Sequence, residues 1–171
     1  MIREIIKYPN PILRRKSGEV GEITDRIKKL AQEMKETMIA NQGIGLAAPQ
    51  VGEMERIIVV QPSLRRTPEE IITREPQVFI NPKILKKSRE AVTEEEGCLS
   101  FPSLFLKIKR VKEVEIEARD ENGEKISLRV TGLPARVFQH EIDHLNGILF
   151  IDRISFWRRF GIKKKLEIFK T

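Results

Sequence analysis

The sequence predicts an α+β fold in a single domain, residues 1–171, with antiparallel sheets around a central helix and further helices near both ends. Two segments carry apolar residues at helical spacing, whereas shorter segments are apolar throughout or alternate apolar with polar residues. The turn signal Glu121-Asn122-Gly123 joins two alternating segments, as in an antiparallel hairpin. A length of 171 residues, with neither an internal repeat nor a Gly/Ser linker, fits one domain.

The first long element is an amphipathic helix between Thr24 and Asn41. It ends before Gly43, a residue type that commonly follows the last turn of a helix. The spacing of its apolar residues predicts that one face packs on the core. That face consists of Ile23, Ile27, Leu30, Ala31, Met34 and Met38.

A glycine-bearing loop at residues 43–50 follows the helix and leads into two predicted strands. The apolar runs 57–60 and 78–80 are short enough to be strands, and Asn81-Pro82 stops the second one. Between these runs, residues 62–76 are rich in charged residues and bounded by prolines. This segment is predicted to be an irregular surface excursion.

The second half contains a predicted hairpin and then a helix. The hairpin strands flank Gly123, and their apolar residues occupy alternate positions: Val114, Ile116, Ala118, Ile126, Leu128 and Val130. Pro134 suits the first turn of a helix, and Asn146-Gly147 suits its end. These signals predict a helix that runs through residues 140 and 144, and we expect it to be the central helix of the fold.

The composition is that of an ordinary globular protein, with 40% hydrophobic and 33% charged residues. No run approaches the roughly 18 apolar residues that span a bilayer, so no membrane association is expected. The N-terminus lacks the continuous apolar core of a secretory signal. Cys98 is the only cysteine, which excludes an intramolecular disulfide and favours a reducing compartment. We therefore expect a cytoplasmic protein.

The net charge of +7 is concentrated at one end of the chain. Residues 153–170 contain seven basic residues and one acid, Glu167, and predict a basic C-terminal helix. Such a segment is typical either of a contact with a polyanion, such as a ribonucleoprotein, or of a solvated helix that aids solubility.

The two histidines of the chain both lie in one pentapeptide, His140-Glu141-Ile142-Asp143-His144. On a helix, residues four positions apart share a face, so both imidazoles can reach one metal ion while Glu141 lies beside a metal-bound water. The pentapeptide therefore predicts a metal-dependent hydrolase, with the central helix as the metal-binding helix.

Two histidines leave the metal one protein ligand short. A third histidine six residues further on is excluded because that position is Phe150, and Glu167 lies in a lysine-rich segment. Cys98 is the remaining soft ligand. One thiolate and two imidazoles leave the fourth position open, which is typical of a catalytic site. Cys98 is therefore the predicted third ligand, although a lone cysteine is otherwise often a small buried core residue.

Three segments together resemble the signature motifs of the bacterial peptide deformylases, in the order in which that family carries them. The similarity extends from the Tyr8-Pro9 region to about Ile154. The segments are Gly43-Ile44-Gly45-Leu46-Ala47-Ala48-Pro49-Gln50, Glu96-Gly97-Cys98-Leu99-Ser100 and Gln139-His140-Glu141-Ile142-Asp143-His144-Leu145-Asn146-Gly147.

The resemblance implies that the chain removes the formyl group from the N-terminal formylmethionine of new polypeptides and releases formate. It implies one divalent metal per chain, Fe(II) in the cell, with zinc, nickel or cobalt able to occupy the same site. It further implies a contact between the basic C-terminal helix and the ribosome. The attacking group would be a metal-bound hydroxide, formed because the metal lowers the pKa of its water.

Carried onto matching positions, the resemblance assigns roles to the residues of all three motifs. Cys98, His140 and His144 would be metal ligands, and Glu141 would be general base and acid. The remaining positions would stabilise the oxyanion or bind the substrate: Gln50 and the backbone N–H of Leu99 for the oxyanion, Gly45 for the substrate backbone, and Ile44, Leu133 and Val137 for the methionine side chain.

Two other functions use the same residues differently. A metallopeptidase with an HExxH motif would cleave internal peptide bonds and would not need Cys98. A metal-stabilised binder of ribosomal RNA would use the basic segment and would close its metal site with a fourth ligand, for which the sequence offers no obvious candidate. Substrate and metal-site tests separate these alternatives.

Overall fold

A computed structural model of the chain describes residues 1–61, 66–67, 70–71, 75–167 and 169. Its main sheet has five antiparallel strands in the order β1-β2-β5-β8-β9, and two further sheets have two strands each. The predicted α+β class is therefore confirmed. The strands are β1 (Gly45–Ala47), β2 (Ile57–Val60), β3 (Arg66–Thr67), β4 (Glu70–Ile71), β5 (Gln77–Lys87), β6 (Ala91–Cys98), β7 (Phe101–Val111), β8 (Glu113–Arg119) and β9 (Lys125–Thr131).

The helices confirm the two long helical predictions. Within the described ranges, the α-helices are α1 (Asp25–Ala40), α2 (Gly132–Leu145), α3 (Phe156–Gly161) and α4 (Lys163–Glu167). Short 3-10 helices cover Pro11–Arg14, Ala48–Val51 and Phe150–Asp152.

The main sheet is covered by α1 on one face and by α2 on the other. Because side chains alternate along a strand, Ile57 and Val59 pack against α1, whereas Ile58 and Val60 pack against α2. The periodicity of α1 predicted its buried face correctly, since Leu30, Met34 and Met38 belong to the core. α2 is buried almost throughout its length, as expected of a helix at the centre of the fold.

A separate two-stranded sheet, β6 with β7, forms a third layer. Residues of β7, such as Phe101 and Ile108, pack in a third apolar cluster with Leu13 and with residues 149–151 after α2. This packing brings the end of β6, and with it Cys98, towards α2.

Several local predictions are settled by the structure. The hairpin at Gly123 is confirmed, with β8 paired to β9 and Gly123 at φ 91°. The excursion at residues 62–76 contains the short antiparallel pair β3 and β4, and most of its other residues lie outside the described part of the chain. None of the helices in the described ranges has the length and apolar content that a bilayer crossing requires.

The C-terminal segment differs from the single basic helix expected at about 153–170. It consists of α3 and α4, and α3 ends at Gly161 with Ile162 as its C-cap. Glycine is a poor helix former and permits the chain to change direction there. Lys170 lies outside the described residues.

Candidate metal centre

The helix α2 carries His140, Glu141 and His144 on one buried face. Their exposed fractions are 8%, 4% and 1%. The Nε2 atoms of the two histidines lie 3.3 Å apart, so both imidazoles point at one location. The predicted spacing of four residues on one helix face is therefore present in the structure.

The third donor, Cys98, comes from the end of β6, where a register irregularity follows Gly97. Its Sγ lies 3.3 Å from His144 Nε2, and the donor atoms of Cys98, His140 and His144 all lie within 4.8 Å of one another. Tetrahedral bonds of about 2.1 Å to nitrogen and about 2.3 Å to sulfur separate the ligand atoms by roughly 3.3–3.6 Å. The three residues therefore fit a single metal ion of the kind that accepts imidazole and thiolate ligands.

Glu96 and two arginines support the donor set. Glu96 Oε2 accepts a hydrogen bond from His140 Nδ1 at 3.1 Å, which directs the Nε2 lone pair of His140 towards the donor cluster. Arg110 donates to both oxygens of Glu96, at 2.9 and 3.1 Å, and Arg136 donates to Oε1 at 2.7 Å. Burial opposes ionisation of Glu96, but the hydrogen bonds from His140 and Arg110 outweigh it and lower the pKa of Glu96 well below its usual range.

Asp143 extends this charged network to the C-terminal segment. It accepts hydrogen bonds from Arg110 at 2.5 Å and from Arg153. No local pattern in the sequence reveals this arrangement, because the partners of Asp143 come from other parts of the chain. Arg136 was missed for the same reason: a charged residue on a helix is exposed by default, and only the partners across the fold reveal that it is buried.

Gln50 presents its amide group to the donor cluster. Its Oε1 accepts the backbone N–H of Ala47 at 2.8 Å, which fixes the orientation of the amide. Its Nε2 therefore faces Ser100 Oγ at 3.3 Å and Cys98 Sγ at 3.6 Å. A buried N–H donor is thus directed at the space beside the three ligand atoms.

Glu141 lies against Gly45, with no room for a side chain between them. A Cβ on Gly45 would lie 2.9 Å from Glu141 Cδ and 2.7 Å from Val137 Cγ1. Burial raises the pKa of Glu141 to about 7, against the opposing effect of the His140 charge. Its Oε2 is buried and has no hydrogen-bond partner among the described residues. The carboxylate is therefore available to a small molecule beside the cluster.

The pKa values of the two imidazoles are shifted in opposite directions. Burial opposes the charged form of both, but the hydrogen bonds that His140 donates to Cys98 and Glu96 raise its pKa well above the ordinary value. Burial, and then the charge of His140, lower the pKa of His144 well below its ordinary value. Two adjacent imidazolium ions are unfavourable, so His140 is the one of the pair that favours the charged form. Both rings must be neutral to ligate a cation, so metal binding would release the proton of His140.

A cleft of about 480 Å³ opens over the donor cluster. Ile44 and Leu133 are exposed to 36% and 39%, Val137 is buried, and all three line the cleft together with Leu99. The structure therefore brings every residue selected from the sequence to one place. Phe105, which is 62% exposed and covers Gly97, also lines the cleft.

Gly45 lies on an edge of the main sheet, because β1 is the first strand in the sheet order. Gln61 N–H donates to Ile44 O, whereas Gly45 is paired with Val60. Hydrogen-bonded and non-hydrogen-bonded pairs alternate in antiparallel sheets, so the N–H and C=O of Gly45 point away from β2. They point to the side on which Ala47 meets Gln50.

The site combines two imidazoles, one cysteine sulfur and a buried glutamate beneath an open cleft. This combination is that of a metal-dependent hydrolase. The family model described as Polypeptide deformylase matches residues 2–160. The chain belongs to the polypeptide deformylase family.

Individual relatives agree with this assignment. The chain is 46% identical to a peptide deformylase of Thermodesulfovibrio yellowstonii over 97% of both chains. It is 40% identical to a peptide deformylase of Aquifex aeolicus, over 100% of this chain and 99% of the relative. Among solved structures, a peptide deformylase from Ehrlichia chaffeensis has a TM-score of 0.89 and 38% identity, covering 98% of this chain and 96% of that one.

Proposed function

We propose that the chain is one catalytic unit in which Cys98, His140 and His144 hold the metal ion of a peptide deformylase. As a member of the family it removes the formyl group from new polypeptides and releases formate. The observation that carries the residue assignment is the convergence of the three donor atoms within 4.8 Å of one another, beside the buried carboxylate of Glu141.

We assign the proton transfers to Glu141. A divalent metal ion supplies an activated nucleophile, since it lowers the pKa of bound water from 15.7 to about 7. Glu141 is one residue from His140 and has an oxygen without a hydrogen-bond partner in the described structure, so it is placed to accept the proton of the attacking water. It then returns this proton to the departing amine.

Gln50 and Leu99 are proposed to stabilise the oxyanion. As water adds to the formyl carbon, negative charge develops on the former carbonyl oxygen. The Gln50 amide is held by Ala47 with its N–H groups facing the cluster, and Leu99 follows the ligand Cys98 in the wall of the cleft. One such donor is typically worth about 10²–10³ in rate.

The substrate peptide is proposed to add to the edge of β1. The outward N–H and C=O of Gly45 would pair with the substrate backbone, as in other complexes in which a peptide extends a sheet. Ile44, Leu133 and Val137 line the cleft next to this edge and form a suitable apolar wall for the methionine side chain.

The test of the reaction uses metal-loaded protein and a formyl-Met peptide, with formate release as the readout. Release of formate that is lost in Glu141→Ala supports the proposal. Cleavage of an unformylated peptide at an internal bond, with Cys98→Ala fully active, would instead support the metallopeptidase alternative. Cys98→Ala is expected to lose metal, because it removes one of three ligands.

We propose Fe(II) as the metal in the cell, with zinc, nickel or cobalt as replacements. The N/N/S donor set suits each of these ions. Metal analysis of protein purified without oxygen is expected to find about one iron per chain. Activity that disappears in air from the iron form but persists in the nickel form would support this choice, whereas active protein that is purified without oxygen and carries another metal in place of iron would refute it.

We also propose a cytoplasmic location and a ribosome contact through the basic C-terminal segment. Lys164 and Lys165 are exposed on α4, next to the exposed aromatic residues of α3. Sedimentation with ribosomes is expected to weaken in a Lys164→Glu/Lys165→Glu double variant. Lys87→Glu/Arg89→Glu, which changes two exposed cations elsewhere by the same charge, is the matched control and is expected to bind normally.

A further inference from the structure

Arg136 is a buried arginine on α2, one helical turn before His140, with an exposed fraction of 4%. Its guanidinium makes four hydrogen bonds with ordinary lengths. Nε donates to Glu94 Oε2 at 3.0 Å, and Nη1 donates to Glu96 Oε1 at 2.7 Å and to Ile108 O at 2.9 Å, while Nη2 donates to Val92 O at 3.1 Å.

These four bonds join the two parts of the fold that supply the donor atoms. Val92, Glu94 and Glu96 belong to β6, which ends at Cys98, and Ile108 belongs to β7. Arg136 belongs to the helix that carries both histidines. The β6–β7 sheet and the main sheet share no strand. Arg136 therefore fixes where the strand of Cys98 lies relative to the helix of His140 and His144.

Arg136 also restrains the carboxylate that orients His140. Glu96 Oε1 accepts from both Arg136 and Arg110, and Oε2 accepts from His140 Nδ1. Arg136 approaches Glu96 from the same helix as His140, whereas Arg110 approaches from β7. With a carboxylate held from two sides, the ring plane of His140 has one favoured orientation.

We propose that Arg136 is a positioning residue for the metal ligands: it aligns Glu96 with His140 and holds the strand of Cys98 against α2. This inference rests on the ligand set proposed above. Although Arg136 lines the cleft, four of its five N–H groups are already used by the protein. It therefore acts through other residues rather than by contact with the substrate.

The test measures Co(II) binding in Arg136→Met and Arg136→Lys. Methionine fills similar space without donors, and lysine keeps the charge but loses the planar set of donors. Loss of an outer partner of a metal ligand typically weakens metal affinity by about 10–100-fold. We expect this loss in Arg136→Met, together with a changed thiolate-to-cobalt charge-transfer band. Arg136→Lys is expected to lie between this variant and the wild type.

Arg56→Met is the matched control. Arg56 is also buried, at 8% exposed, and donates to Asn146 Oδ1 and Pro82 O, but it has no bond to Glu96 or to β6. We expect this variant to unfold more easily while its Co(II) affinity and spectrum stay those of the wild type. Such a result would show that the weaker Co(II) binding of Arg136→Met comes from misaligned ligands and not from the loss of a buried arginine in general.

Unchanged Co(II) affinity and spectrum in folded Arg136→Met would overturn the proposal, even if its unfolding temperature falls. Should Arg136→Met fail to fold, Arg136→Lys decides by the same two measurements. Wild-type protein that shows no thiolate-to-cobalt band would contradict the ligand set itself, and with it this inference. If only the positioning role of Arg136 is wrong, the wild-type protein still shows its thiolate-to-cobalt band.

Discussion

Replacing Gly45 by alanine is expected to disable catalysis while the metal stays bound. The new Cβ would lie 2.7 Å from Val137 Cγ1 and 2.9 Å from Glu141 Cδ, inside the 3.4 Å at which ordinary contact begins. The Glu141 carboxylate must therefore move by about 0.5–1 Å. A misplacement of about 1 Å in a reacting group costs roughly 100-fold in rate, which corresponds to about 2.7 kcal/mol.

The assay is kcat/KM for formate release from a formyl-Met peptide, with metal content measured on the same samples. Gly21→Ala is the control, because no atom lies within 4 Å of the Cβ that it would add. We expect Gly21→Ala to match the wild type. If Gly45→Ala with full metal content keeps more than about a third of the wild-type kcat/KM, the close approach of Gly45 and Glu141 does not govern catalysis, and the reasoning fails.

Three further predictions concern single residues. Glu141→Gln should lower kcat by about 10²–10⁴ with unchanged metal content, and normal turnover in this variant would exclude Glu141 as the base. Gln50→Leu should lower kcat by about 10²–10³ in the same formate assay; a change in KM alone would contradict an oxyanion role. Gly147→Ala should lower the free energy of unfolding in urea by about 3 kcal/mol, because Gly147 has φ 70° and its Cβ would overlap the Arg14 carbonyl; an unchanged denaturation midpoint would contradict this.

The parts of the fold that the sequence predicted are those with a local signal. The periodicity of α1 and the turn at Gly123 depend on neighbouring residues, and both were found as expected. The β6–β7 sheet was missed because its strand carries three consecutive glutamates, residues 94–96, and gains its stability from a partner strand. Glu95 lies opposite Lys107, for example, a cross-strand pairing that no local pattern reveals.

The residues of the candidate site also fall into those that the sequence indicated and those that it did not. The pentapeptide at 140–144 and the motif around Cys98 indicated the donor atoms, because ligand chemistry restricts residue type and spacing. Arg136, which bonds to Glu96, and Asp143, which bonds to Arg110, support the donors indirectly and are ordinary charged residues in the sequence. Their roles depend on burial and on contacts with distant residues, so only the three-dimensional structure identifies them.

Because the donor atoms are divided between β6 and α2, a cation bound by all three residues would connect two layers of the fold. By thermodynamic linkage, free metal at 100 times its dissociation constant adds about 2.7 kcal/mol to the stability of the chain. We expect this gain to be concentrated where the layers meet. Chelation should therefore accelerate amide hydrogen exchange first in residues 91–111, while the strands sandwiched between α1 and α2 keep their protection.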